Sequence, residues 1–174
     1  MNRFRLGLIA LILVAGSVGG VHAQSTGTEA AWSTFKAERW QRLNSDGEAF
    51  AGIRSGSDAG LVLLMCIAKD RLVTLTFHPA PPTGITKPPQ VAVLSFNGAS
   101  SLGAELTASE APDGSILFAL HDTEPGFQAT IHNLMTARAL EISIVQADIV
   151  HSQHKFTLKG SGAAMKPVLK LCGR

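Results

Sequence analysis

Leu61-Val62-Leu63-Leu64-Met65-Cys66-Ile67, a short polar stretch through Lys69-Asp70, and Leu72-Val73-Thr74-Leu75-Thr76-Phe77 together decide the fold class. The first run is apolar throughout. The second alternates, with Val73, Leu75 and Phe77 set against Thr74 and Thr76. Alternation with a period of two places one set of side chains on each face of an extended chain, the pattern of a half-buried strand. Two β-rich runs around a short polar turn predict a hairpin.

Downstream of the hairpin, residues 79–89 carry prolines at 79, 81, 82, 88 and 89. Proline cannot donate to a ladder, so this stretch is expected to be an exposed loop or crossover. Val91 to Phe96 reads as a strand ended by Asn97-Gly98, and Glu105 to Ala108 as a short one. Pro112-Asp113-Gly114 is a turn signal before a strand from Ile116 to Leu120. Gly126 to Ala137 is expected to be helical, with Phe127, Ile131, Leu134 and Met135 on one face. Leu140 to Val145 returns to strand, with Leu140, Ile142 and Ile144 on one side, and Phe156-Thr157-Leu158 is a short strand. Ser161 is the expected cap of a last helix carrying Met165, Val168, Leu169 and Cys172 inward. Pro167 argues against that helix running unbroken.

Upstream of the hairpin, Asn44-Ser45-Asp46-Gly47 is a turn signal and Glu48 to Ile53 a strand with Phe50 as its bulky member. Trp32 to Trp40 fits either a short helix or an extended segment. Short strands separated by turns predict a mostly β chain, a β-sandwich or small barrel with one or two short helices. The chain contains no internal repeat and no low-complexity segment.

The first residues set the compartment. Arg3 and Arg5 precede an uncharged apolar run from Leu6 to Ala15, and small residues lead to Val21-His22-Ala23. This is the layout of a cleavable signal peptide, expected over residues 1–23, followed by a small, polar, flexible lead-in over 24–31 and a single β-rich domain over 32–174. The apolar run is roughly ten residues, half of the about 20 that a bilayer needs. No later stretch is long and apolar enough to span, so no transmembrane segment is expected in the mature chain.

Charge follows the same division. The whole chain has 15 Lys+Arg and 13 Asp+Glu. Removing Arg3 and Arg5 with the signal leaves 13 against 13. A domain with no excess of cations is a poor nucleic-acid binder, and none is expected as a partner.

Cys66 and Cys172 are the two cysteines. In an oxidising compartment an even number invites pairing, and two allow one intramolecular bond. It would close a loop of roughly 100 residues, worth about 4–5 kcal/mol in the chain-entropy account. Free thiols or a metal pair are the alternatives, and two cysteines alone do not fill a zinc shell.

Six histidines raise the question of a metal. His151-Ser152-Gln153-His154 is the close pair, with Asp148 nearby, and these two are the candidate ligands. On a strand that spacing puts them on opposite faces, and surface histidines are the ordinary reading. His78, His121 and His132 are scattered. His121-Asp122 juxtaposes an imidazole and a carboxylate that could orient it as a general base. No recognisable nucleophile setting accompanies it, however, and no nucleophile elbow, zincin motif or phosphate loop occurs. No catalytic residues, no resident metal and no cofactor are expected. Trp32, Phe35 and Trp40 are the candidate partner surface if exposed, and cover one end of the sandwich if buried. The absence of tyrosine counts against a carbohydrate-binding or antibody-like surface.

Four landmarks carry a resemblance: Leu61 to Cys66 with Leu72 to Phe77; Val91 to Gly98; Pro112-Asp113-Gly114 leading into Ile116-Leu117-Phe118; and Phe156 to Ser161 followed by Ala163 to Gly173. Their order resembles the periplasmic accessory proteins associated with type VI secretion, and is similar, more loosely, to the invasion-associated locus B proteins. It covers roughly two-thirds of the mature chain. The resemblance implies that the early and final cysteines pair, and supplies no catalytic residues. It departs at Gly173-Arg174, where the secretion-associated pattern has Gly-Trp, and in the proline-rich 79–89 stretch.

These readings converge on an exported periplasmic protein, retained there or secreted. It would be non-enzymatic and would bind an envelope protein partner, with secretion as the process that the resemblance implies. The alternatives are an inhibitor of a hydrolase such as lysozyme, acting through the 79–89 loop; a small metal or ligand carrier built on His151 and His154; and a purely structural envelope protein.

Overall fold

The computed structural model describes residues 35–56, 60–79, 91–100, 106–110, 116–147 and 149–174. The expected signal peptide and lead-in, Trp32, the proline-rich stretch beyond Pro79, Glu105, the Pro112-Asp113-Gly114 turn and Asp148 lie outside them. The elements are strands β1 (Gln41–Ser45), β2 (Glu48–Arg54), β3 (Leu61–Ile67), β4 (Leu72–His78), β5 (Val91–Phe96), β6 (Ala99–Ser100), β7 (Leu106–Glu110) and β8 (Ile116–His121). Helix α1 (Phe127–Thr136), strands β9 (Ala139–Gln146) and β10 (Ile149–Thr157), and helix α2 (Ser161–Leu171) follow.

The strands form one continuous antiparallel path, β1-β2-β3-β4-β8-β7-β5-β9-β10, with β6 added beside β5. β1 and β10 are its ends and do not pair, so the barrel is not closed. The path bends until its two halves face each other as the layers of a sandwich. Phe77 of β4 meets Phe156 of β10 edge-on with ring centroids 6.1 Å apart, and Phe118 of β8 also lies 6.1 Å from Phe77. The predicted hairpin forms in full register, from Leu61 opposite His78 to Ile67 opposite Leu72. Val73, Leu75 and Phe77 point into the main core.

The continuity of the Leu61 to Ile67 run has a structural cause. Val62, Leu64 and Cys66 join the main core, whereas Leu61, Leu63 and Met65 join a second apolar cluster with Phe50 and Phe35 on the opposite face. A strand buried on both faces has no position for an alternating polar residue. Gly52 of β2 makes room for Phe35 there: a Cβ on it would come within 3.1 Å of the Phe35 ring.

The two ends of the chain hold the departures from expectation. Gln41–Ser45 is a strand that no hydrophobic pattern announced. The short strand expected at Phe156 is the end of a nine-residue one, β10. It carries a register shift between Val150 and Ser152 that leaves His151 as the extra residue. Helix α2 runs through Pro167, and Gly160 rather than Ser161 is its N-cap. Ser161 is the first helical residue, and its hydroxyl donates to the Leu158 carbonyl at 2.7 Å. The helix tolerates Pro167 because the carbonyl deprived of its donor belongs to Ala163, an exposed residue that water can reach.

α2 packs on β2 and β3 and against α1. It turns Met165, Val168 and Leu169 inward and ends at Cys172. Cys172 is bonded to Cys66 of β3, with Cα atoms 6.0 Å apart.

Candidate functional site

A cleft of about 700 Å³ opens where the end of β2 meets the β9–β10 hairpin. Three cations line it: Arg54 at the end of β2, Arg138 in the link from α1 to β9, and Lys155 in β10. Among the described residues two acids accompany them, Glu38 and Glu141. Cross-strand register sets Lys155 opposite Glu141, and the two form an ion pair of 3.4 Å. Glu38 is one of the few non-glycine residues among those described with a positive φ, 57°. Its backbone N–H donates to the Arg54 carbonyl at 2.9 Å, and its carboxylate lies over Gly56 rather than on Arg54.

The local sequence explains the placement of Arg138. Asn97-Gly98 is a two-residue hairpin loop with φ of 54° and 78°, the twist that joins adjacent antiparallel strands. In that conformation the Asn97 side-chain oxygen accepts the N–H groups of Arg138 and Ala139, at 2.9 and 3.2 Å. The Asn97 N–H donates to the Ala139 carbonyl at 3.0 Å, and the Leu158 N–H to the Arg138 carbonyl at 2.9 Å. Arg138 therefore stands on a backbone fixed from both sides, while its side chain is exposed. At the same end, the Trp40 indole N–H donates to the Thr157 carbonyl at 3.0 Å and ties the segment before β1 to the end of β10.

Phe35 and Trp40 are 1% and 7% exposed, so both rings serve packing and offer no free face to a partner. Trp32 lies outside the described residues. His151 is exposed at the bulge of β10, whereas His154 is buried with its ring 5.0 Å from that of Phe77. The structure does not bring these two histidines together. Among the described residues no three His, Cys, Asp or Glu side chains are grouped to hold a metal. His121 is hydrogen-bonded to Thr74 at 3.2 Å, and Asp122 pairs with Arg174. The neighbouring imidazole and carboxylate thus have separate partners. No helix among the described residues is long and apolar enough to cross a membrane.

No protein-family model matches the chain, and no curated protein matches it in sequence. Its fold is similar to the crystal structure of invasion associated protein b from Bartonella henselae, with a TM-score of 0.50 and 9% identity. The likeness covers 77% of this chain and 99% of that one. At that identity it carries the fold alone. Of the two resemblances read from the sequence, it bears on the looser one, to the invasion-associated proteins, and lends nothing to the type VI secretion accessory proteins.

The residues of the cleft escaped the sequence reading. Arg54, Arg138 and Lys155 come from three separate segments and form no local motif. The one usable signal was Asn97-Gly98, which marked a turn but not what that turn would hold.

Proposed function

We propose that this chain is an exported, non-enzymatic binding protein of the cell envelope, working in the periplasm or after release, and that the face carrying the cleft is its recognition surface. The observation that carries the reading is the likeness of fold along nearly the whole of a protein described as invasion associated. The Cys66–Cys172 bond supports export, because such bonds persist in oxidising compartments. The cleft supports the choice of face, since recognition sites are concave and carry a few placed polar groups.

The test is a photo-crosslinking side chain placed in intact cells at Ala139, on the cleft wall, or at Gln128, at the far end of α1. Both positions are exposed. A discrete adduct from Ala139 and none from Gln128, in protein released by osmotic shock, is the expected result. Equal labelling from both, or protein that stays in the cytoplasm, would end this reading.

A further inference from the structure

We propose that the cleft between the end of β2 and the β9–β10 hairpin binds an oxyanion, a carboxylate or phosphate group borne on a ligand of small-molecule size. The inference rests on the reading that this face recognises an envelope component, and adds the chemistry of what is recognised. Neither Arg54 nor Arg138 has a carboxylate within ion-pair distance among the described residues. The Arg54 Nε is buried and makes no hydrogen bond there. That atom is closed to solvent, so an oxyanion would be met by the rest of the Arg54 and Arg138 guanidiniums that line the cleft. The planar fork of arginine matches carboxylate and phosphate oxygens two at a time.

Among the described residues the lining keeps one positive charge in excess, Arg54, Arg138 and Lys155 against Glu38 and Glu141. Glu141 is engaged by Lys155, and the Glu38 carboxylate lies against Gly56 without an ion pair to either arginine. What remains is a pair of guanidiniums with no carboxylate partner among the described residues, on a chain whose formal net charge is +2. Their backbones are already fixed, Arg138 by Asn97 and Leu158 and Arg54 by Glu38. Binding then leaves the backbone as it is, and ordering the exposed Arg138 side chain is the cost that remains. The volume lies within the range of small-molecule sites, roughly 300–1,000 Å³. A smaller cavity of about 320 Å³ on the other side of the Asn97 turn has no charged side chain in its lining.

The purified exported protein, labelled with 15N, is titrated at constant ionic strength with inorganic phosphate and, separately, with digalacturonate. Saturable shifts confined to the amides of Arg54, Ser55, Gly98, Arg138 and Ala139 are expected with at least one probe, and the stronger probe identifies phosphate or carboxylate as the source. Arg138→Gln, at an exposed residue, should weaken binding by at least about tenfold with the melting temperature unchanged, the usual size of a lost charge-assisted hydrogen bond. Arg54→Gln should do the same; if it fails to fold, Arg138→Gln decides alone. Shifts that are scattered or rise linearly with concentration, or undiminished binding by Arg138→Gln, overturn the proposal. A silent titration beside an intact Ala139 crosslink removes the oxyanion and leaves the recognition surface standing. Saturable binding without that crosslink does the reverse.

Discussion

At Gly60 the fold leaves no room for a side chain. A Cβ there would stand 2.9 Å from the His154 Nδ1 and 3.4 Å from the Phe156 ring. His154 is 4% exposed, and its Nε2 is hydrogen-bonded to the Ser152 hydroxyl at 3.1 Å. The imidazole is thus a packing group of the sandwich, filling the space between Phe77 and the turn back into β3. Gly60→Ala should destabilise by about 1–3 kcal/mol, the usual cost of overpacking a filled core. His154→Ala empties the same space, so the two changes together should cost less than their sum, with a coupling of about 1 kcal/mol. Urea denaturation of the wild type, both single variants and the double variant measures this directly. Strict additivity would show that Gly60 and His154 do not compete for one space.

Among the elements, those with a strong internal period were legible and those shaped by their neighbours were not. β4, α1 and β9 repeat their apolar residues at two or at helical spacing, β3, β5 and β8 are nearly continuous apolar runs bounded by turn residues, and each formed close to where the sequence placed it. β10 hides its strand because His151, Gln153 and Lys155 face solvent along an edge, while the inward His154 reads as polar in sequence. β1 is similarly obscure, since its residues are half-buried or exposed and it is held by pairing with β2. For α2, the sequence rule about proline was sound as energetics and misleading as geometry. The helix forms because Met165, Val168, Leu169 and Cys172 are anchored in the core, and this burial outweighs one missing hydrogen bond. That reading makes a prediction. Pro167→Ala restores the N–H that can reach the Ala163 carbonyl, and should stabilise the protein by on the order of 1 kcal/mol. A loss of stability in thermal melts would mean that the proline ring, half-buried here, contributes more by packing than it costs the helix.

Across the whole molecule, the pairing of two cysteines could be anticipated from their number, whereas the convergence of Arg54, Arg138 and Lys155 could not. Convergence of distant residues depends on how the sheet path bends, and nothing local encodes that bend. The disulfide also depends on the bend, because it joins the most buried strand to the end of the last helix across a separation of 106 residues. Both sulfurs sit in the core, with Cys66 0% and Cys172 4% exposed. A crosslink of that span acts chiefly by restricting the unfolded chain, and its removal should cost about 2–5 kcal/mol, lowering the melting temperature by about 5–20 °C. Cys66→Ala with Cys172→Ala isolates this effect, whereas Cys66→Ser adds the burden of a hydroxyl in an apolar site and should cost more. If the bond works through the unfolded state, its loss should also raise the denaturant m-value, since the released chain exposes more surface. A midpoint that falls while m stays constant would instead place the stabilisation in native packing between α2 and β3. Equal melting temperatures before and after reduction would mean that burial of Met165, Val168 and Leu169 alone holds the last helix in place.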